Sequence, residues 1–246
     1  MSETFDNVGP QLLRFDRNLQ GRDFVVGDIH GCFTLLQTAL DAIGFLPTVD
    51  RLFCSGDLVD RGPESHQVVS WLDKPWFFST MGNHDFMAAQ YVLNRPHAIS
   101  NIESLGGGWL LDLPKAQQLV IARRLSALPL AIQVETSEGP VGIVHADFPT
   151  DDWRHIETPF SEEDRQICLW STMRFDRMYS VEVKNVRALI HGHLTLSTAQ
   201  QIANVFFIDT GGWMASEGHF TFIDLAPLHL ITGPGPDRLF EHKHNR

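Results

Sequence analysis

Two short acidic motifs, each flanked by glycines, carry the first side chains that could do chemistry. Asp28 and His30 are one residue apart in GDIHG, and Asp57, Asp60 and Arg61 lie together in GDLVDRG. Carboxylate and imidazole groups together suit Mn, Fe or Zn better than Mg or Ca. Taken singly, GDIHG is more often a capped turn, and an acidic pair beside an arginine is more often a surface ion pair that adds little stability.

A third motif makes a composite site the better interpretation. GNHD places Asn83 next to His84, and the neutral amide oxygen of Asn83 can bind a cation without adding charge. His145 and His193 supply two further imidazoles in the second half of the chain. Three motifs in order, each after a predicted strand, indicate a metal site far more strongly than any one of them does.

The elements that must position these motifs alternate between strand and helix. Apolar runs at Asp23–Gly27, Leu52–Cys54 and Trp76–Thr80 predict strands, and each run leads into one motif. Helical spacing follows at Phe33–Ile43 and His66–Leu72. This order favours a parallel sheet, whose functional loops lie at the carboxyl ends of its strands.

The pattern changes beyond Leu113. We predict a helix at Leu119–Leu128 and an antiparallel hairpin around TSEGP. The two hairpin strands and three further strands are predicted at Leu130–Glu135, Val141–His145, Ala188–His191, Val205–Asp209 and Phe220–Leu225. A parallel half followed by a hairpin-rich half predicts an α/β fold with two mixed β-sheets packed face to face, flanked by helices, and sharing one site at their common edge. No internal boundary is visible, so we expect a single domain, 1–246, with its core at about 22–225.

Composition narrows the class of protein. Hydrophobic residues make up 43% of the 246 residues, which is typical of a globular chain. The formal net charge is −11 and no lysine or arginine run occurs, so we expect no nucleic-acid partner. Cys32, Cys54 and Cys168 have no paired spacing, which favours a reducing compartment. With no signal sequence and no apolar stretch near the ~18 residues of a membrane span, we expect a cytoplasmic protein without a membrane partner.

Taken with HADFP at His145 and GHLT at His193, the three motifs resemble the phosphoprotein phosphatase branch of the calcineurin-like metallophosphoesterases. The likeness is greatest to the small bacterial and bacteriophage serine/threonine phosphatases, and it extends from about Arg22 to Leu225. The resemblance implies a four-layer α/β/β/α sandwich and two divalent metal ions, Mn²⁺ before Fe or Zn. The implied metal ligands are Asp28, His30, Asp57, Asn83, His145 and His193.

The resemblance also implies a role for each group. Asp28 and His30 would hold the first metal, Asp57 would bridge the two, and the other three ligands would complete the second. His84 would be the general acid that protonates the leaving alkoxide, oriented by Asp60. Arg61 would hold two phosphate oxygens. In HGH, we choose His193 as ligand because its context fits the family motif, which leaves His191 as a supporting or structural residue.

The sequence departs from the family pattern at the phosphate-binding side. Thr172 stands where the bacteriophage-type enzymes have a second phosphate-binding arginine. Arg174 is the candidate substitute for substrate binding, with Arg177 or a surface role for Arg174 as alternatives. Asp85 replaces the usual glutamate after the histidine of GNHD. The glycine-rich segment Leu105–Trp109 is either part of the substrate groove or a plain loop.

We therefore expect a metal-dependent phosphomonoester hydrolase, first of all a serine/threonine protein phosphatase acting on a phosphorylated protein or a small phosphoester. The alternative is a dinucleoside tetraphosphate hydrolase on the same scaffold, although those enzymes usually lack an aspartate at the position of Asp60. A silent metal-binding module for phosphorylated partners is disfavoured, because the ligand set and the pair of Asp60 and His84 occur together. No motif for a regulatory subunit is visible.

Overall fold

The computed structural model describes residues 9–93, 102–214 and 217–235. Within these ranges the chain forms eleven β-strands in two sheets, with helices between them. The strands are β1 Leu12–Phe15, β2 Asp23–Val26, β3 Arg51–Cys54, β4 Phe77–Ser79, β5 Ala131–Thr136, β6 Gly139–Val144, β7 Ala188–His191, β8 Gln200–Ile202, β9 Val205–Phe207, β10 Thr221–Asp224 and β11 His229–Thr232. The α-helices are α1 Phe33–Ala42, α2 Val68–Leu72, α3 Asn83–Leu93, α4 Gly108–Leu111, α5 Lys115–Ser126, α6 Glu162–Trp170 and α7 Met173–Asp176.

The first sheet carries the three N-terminal motifs. Its strand order is β11-β10-β2-β3-β4, and β2, β3 and β4 run parallel as predicted. Because parallel strands end at the same edge, the loops that follow Val26, Cys54 and Ser79 emerge together. GDIHG, GDLVDRG and GNHD occupy these three positions.

The second sheet has the order β1-β5-β6-β7-β9-β8. The predicted hairpin is confirmed, because β5 and β6 pair antiparallel across TSEGP. Strands β6, β7 and β9 run parallel to one another, so the residues after Val144 and His191 leave the sheet at one edge. His145 and His193 lie in these two exits.

Alternation along the strands divides the core into two layers. Val25 and Phe53 of the first sheet meet Ile132, Ile143 and Ile190 of the second in an apolar layer between the sheets. The neighbouring strand residues face the other way and pack on the helix side with Leu36 and Leu40 of α1; they include Phe24, Val26, Leu52 and Cys54. Each fully buried Phe or Leu contributes roughly 1.5–3 kcal/mol. This is the face-to-face arrangement of two mixed sheets expected from the sequence.

The two sheets are not each built from one half of the chain. Strands β10 and β11 return to the first sheet, where β10 pairs antiparallel with β2. Phe222 and Ile223 explain this, because one packs on the helix side and the other between the sheets, as a central strand requires. The segment before Asp23, where no strand was predicted, also contains β1, which pairs parallel with β5 in the second sheet.

Candidate functional site

The loops after β2 and β3 are tied together by their backbones. The amides of Ile29 and His30 both donate to the carbonyl of Asp57, at 3.1 and 2.8 Å. His30, Asp57, Asp60, Arg61 and His193 all adopt positive φ, between 45° and 72°. A left-handed conformation costs a non-glycine residue about 1–2 kcal/mol, so this strain is concentrated on the side chains that the sequence singled out.

Two glycines allow the close approach of acidic side chains. A Cβ atom at Gly82 would collide with the carboxylate of Asp57, and one at Gly192 would collide with that of Asp28. The backbone of one loop therefore lies directly against an acid from another loop. This arrangement lets four separate loops contribute to one small volume.

Several hydrogen-bond acceptor atoms lie close to the Asp57 carboxylate. His145 Nδ1 lies 2.9 Å from the carbonyl of Ser55, which fixes the proton on Nδ1 because a carbonyl only accepts. The bare Nε2 then faces Asn83 Oδ1 at 2.9 Å and Asp57 Oδ1 at 3.5 Å. His193 Nδ1 lies 3.1 Å from the same Asn83 oxygen and 3.2 Å from His145 Nε2. Imidazole nitrogens, an amide oxygen and a carboxylate this close together are a ligand set that suits a divalent cation.

The other oxygen of Asp57 faces a second group of atoms that could bind a metal ion. His30 Nδ1 bonds the carbonyl of Val59 at 2.8 Å, which leaves Nε2 bare and 3.5 Å from Asp57 Oδ2. Asp28 lies beside this group and accepts the backbone N–H of His193 at 3.0 Å. Asp57 thus has one oxygen toward His30 and the other toward His145.

Burial sets the charge of these groups. It raises the pKa of Asp57 to about 6, and burial with the neighbouring carboxylates of Asp209 and Asp57 raises the pKa of Asp28 well above its usual value. Burial lowers the pKa of His193 to about 4 and lowers the pKa values of His30 and His145 well below their ordinary range. Neutral imidazoles and acids that gain from a nearby positive charge are what a divalent cation requires. The residues present therefore fit a metal centre.

His84 and Arg61 lie on the open side of this cluster. His84 Nδ1 bonds Asp60 Oδ2 at 2.8 Å, and its Nε2 lies 3.1 Å from an Arg61 nitrogen. A second Arg61 nitrogen lies 2.8 Å from His30 Nε2. The Arg61 side chain is exposed, and its guanidinium lies 4.5 Å from the ring centroid of Trp213. A substrate phosphate approaching the cluster would therefore meet Arg61 and His84 together.

Arg174 does not join the site, so the structure gives no support to its predicted substrate role. Its side chain is buried, and its guanidinium lies 2.8 Å from Asp151 Oδ1 and 3.0 Å from the carbonyl of Val181. Asp147 accepts both its backbone N–H, at 3.1 Å, and its Nε–H, at 3.4 Å. These contacts give Arg174 a structural role, and its burial also argues against the surface role named as an alternative. Thr172, at the expected arginine position, bonds Asp176 at 2.6 Å.

Asp85 was noted in the sequence only as a departure from glutamate, yet it holds the loops of the site together. Its two oxygens accept the amides of Leu58 and Gly82, both at 3.0 Å, so it fixes the residues beside Asp57 and Asn83. The shorter side chain is long enough because it lies in the first turn of α3, directly beside both loops.

Asp209 was missed altogether. It is 1% exposed, accepts Thr195 Oγ1 at 2.6 Å, and adds negative charge beside Asp28. Its place at the end of a predicted strand was the only signal. His191 is fully buried and bonds the carbonyl of Val144 through Nδ1 at 2.8 Å. None of the described hydrogen bonds joins its side chain to the residues grouped around Asp57.

A family model described as calcineurin-like phosphoesterase matches residues 24–218, a span that contains every group described above. The chain belongs to this family. Like other metallophosphoesterases, it is therefore a hydrolase of phosphoesters that depends on metal, and its residues offer the His and Asp groups for one. Among the described residues, none of the helices is long and apolar enough to cross a membrane.

Relatives of this metallophosphoesterase carry more than one activity in their names. Serine/threonine-protein phosphatase 2 of Escherichia coli is 33% identical over 194 residues, which cover 76% of this chain and 86% of that protein. The symmetrical bis(5'-nucleosyl)-tetraphosphatase of Pseudomonas putida is 32% identical over 130 residues, or 51% of this chain and 42% of that protein. A solved structure provisionally named a diadenosine tetraphosphatase shares the fold at a TM-score of 0.65 and 23% identity, covering 92% of this chain and 98% of that one.

Proposed function

We propose that this metallophosphoesterase is a serine/threonine protein phosphatase with two divalent cations, Mn²⁺ in first place. One observation carries the proposal: His84, held by Asp60, stands with Arg61 beside a cluster of bare acceptors that converge on Asp57. The likeness to the Escherichia coli phosphatase over most of both chains supports the same substrate class. The whole chain, 1–246, is proposed to act as one domain, in keeping with the family match at 24–218.

The proposed ligands divide between the two oxygens of Asp57. Asp28 and His30 would hold one cation and Asn83, His145 and His193 the other, with Asp57 bridging. When bound, two divalent cations supply a water of lowered pKa as the nucleophile and withdraw charge from the phosphoryl oxygens. The carbonyls of Ser55 and Val59 keep the ring protons of His145 and His30 on Nδ1, so that Nε2 carries no proton in either ring.

His84 and Arg61 supply the remaining chemistry from this chain. The bond from Nδ1 to Asp60 fixes the orientation of the His84 ring and leaves Nε2 facing Arg61, on the side where a substrate phosphate would bind. Nε2–H can then give its proton to the leaving serine or threonine oxygen, which is too basic to leave as a bare alkoxide. The planar guanidinium of Arg61 can hold two phosphoryl oxygens at once. Asp60 keeps the ring oriented through its bond to Nδ1.

The second candidate is a nucleotide phosphoesterase that cleaves dinucleoside tetraphosphates. The relative from Pseudomonas putida favours it, although the shared region is about half of this chain. Against it stands the proton donor, because a nucleotide phosphate is a good leaving group and needs little protonation. The paired Asp60 and His84 are more useful to an enzyme that must expel an alkoxide.

The deciding experiment uses metal-stripped protein with Mn²⁺, Mg²⁺, Zn²⁺ or no metal added, and measures orthophosphate released from the phosphopeptide and nucleotides formed from the dinucleotide, whose cleavage releases no orthophosphate. A phosphoserine peptide and diadenosine tetraphosphate are compared at equal concentrations. We expect Mn²⁺ to restore turnover of the phosphopeptide and to give the larger kcat/KM with it. Faster turnover of the dinucleotide would reject the protein phosphatase and favour the second candidate, whereas no turnover of either substrate with any metal would reject both.

A further inference from the structure

Asp60 has a second side-chain partner besides His84. Its Oδ2 bonds His84 Nδ1 at 2.8 Å, and its Oδ1 accepts the indole N–H of Trp109, also at 2.8 Å. The carboxylate is 1% exposed, so neither oxygen has ready access to bulk water. Trp109 comes from α4, 49 residues along the chain, and is half-buried.

The segment that carries Trp109 also supports Arg61. The amide of Arg61 donates to the carbonyl of Gly106 at 3.4 Å. Gly106 has φ +90°, and a Cβ there would lie 2.7 Å from the Arg61 nitrogen, so only glycine fits this contact. The segment is anchored by Ile102 and Leu110, which are both buried in the helix-side core.

These contacts give the indole a specific task. A buried carboxylate with one unmatched oxygen can rotate or take up a proton, and either change weakens its bond to an imidazole. A donor fixed at Oδ1 leaves Oδ2 as the partner of His84 and sets the plane of the carboxylate. Trp109 is suited to this because indole has a single N–H and accepts no hydrogen bond through nitrogen.

We propose that Trp109 is a positioning residue for the general acid: its indole N–H holds Asp60 so that Asp60 can hold His84. The inference rests on the proposed role of His84 and adds a third member to that pair. The glycine-rich segment Leu105–Trp109 is then neither a plain loop nor simply a groove wall. It is the support for both the proton donor and the backbone of the phosphate-binding arginine.

The test uses Trp109→Phe in the full-length protein loaded with Mn²⁺, with two substrates that differ in leaving group. Phenyl phosphate needs a proton on its leaving oxygen, whereas 2,4-dinitrophenyl phosphate does not. Loss of a hydrogen bond to a charged group predicts that kcat for phenyl phosphate falls roughly 10-fold. For 2,4-dinitrophenyl phosphate, kcat should stay within about 2-fold, since proton transfer contributes little there. The KM values and the bound Mn²⁺ should not change.

Trp153→Phe is the matched control. Its indole N–H donates to Gln133 Oε1, also at 2.8 Å. None of the described hydrogen bonds joins Trp153 to a proposed site residue. We expect this variant to treat both substrates alike. A leaving-group effect of the same size in Trp153→Phe would overturn the proposal, because it would show that losing any buried indole N–H is sufficient.

Two further measurements separate the possible failures. In an Asp60→Asn background, Trp109→Phe should cause no additional loss on phenyl phosphate; an additive loss would show that Trp109 does not act through Asp60. If His84→Asn shows the leaving-group effect and Trp109→Phe does not, only this inference is rejected. If His84→Asn shows none, the proposed general acid itself is rejected.

Folding of the variant need not limit the test. In the wild-type protein, the Trp109 indole N–H should exchange slowly with solvent, and its ¹⁵N-NMR signal should shift in Asp60→Asn. An indole signal that exchanges rapidly and does not respond to Asp60→Asn would overturn the proposal without any tryptophan variant.

Discussion

Replacement of His84 by asparagine distinguishes an acid from a metal ligand. Nitrogen and oxygen atoms of His30, Asp57 and His84 lie within 4.8 Å of one another, so geometry alone would allow His84 to bind a cation. We predict the opposite: His84→Asn keeps both metals and loses turnover. Its backbone N–H, which holds Asp57 Oδ1 at 2.9 Å, is unchanged by the substitution, so the bridging carboxylate stays in place.

The size of the loss follows from the contacts that disappear. The variant loses the proton carried on Nε2, which is worth roughly 10²–10⁴-fold in kcat for a poor leaving group. It also weakens the 2.8 Å bond to Asp60, which costs about 1–3 kcal/mol of stability if asparagine does not replace it. The assay is kcat on phenyl phosphate in saturating Mn²⁺, with bound metal measured by elemental analysis. Loss of one metal per chain would refute the reasoning and make His84 a ligand.

The remaining predictions concern the bridge, the arginine and pH. Asp57→Asn should lower bound Mn²⁺ and activity together, since each of its oxygens faces a different donor group; full metal content with normal activity would remove it from the ligand set. Arg61→Lys should raise KM roughly 10-fold with little change in bound metal, because an ammonium lacks the planar fork; an unchanged KM would exclude this role. Burial raises the pKa of Asp28 well above its usual value and that of Asp57 to about 6, and lowers that of His193 to about 4, so protons compete with metal at the two carboxylates rather than at His193. The Asp57 carboxyl is protonated in the metal-free fold below about pH 6 and charged above, so Mn²⁺ affinity measured by calorimetry should rise between pH 5 and 7.5; a flat profile would contradict this.

The sequence was sufficient to predict the site where a reactive residue directly follows the end of a predicted strand. The runs ending at Val26 and Cys54 lead directly into Asp28 and Asp57, so the parallel pairing of two short strands brings the acids together. The same logic placed His145 beyond β6. The edge strand β1 was missed because its sequence, LLRF, has no clear alternation of apolar and polar residues. Its residues are only partly buried in the structure.

Contacts between distant segments were beyond the reach of sequence. Arg174 lies 27 residues from Asp147 and 23 from Asp151, and only the fold shows that they bury its guanidinium. A motif comparison suggested phosphate binding because it counts residues from a tryptophan, and spacing does not reveal which way the side chain is drawn. The indole of Trp109 is the converse case, since its partner Asp60 could not be identified from a glycine-rich stretch alone.

The residues proposed to bind metal have several features that each oppose folding. Asp57 and Asp209 lie close enough to the buried Asp28 to raise its cost of ionisation, and site residues such as His30 and Asp60 adopt strained positive φ. Such features persist only where surrounding contacts enforce them. Here the enforcing contacts are backbone amides, as when Asp85 holds both neighbouring loops. A bound divalent cation would add an attraction that offsets the repulsion between the buried acids.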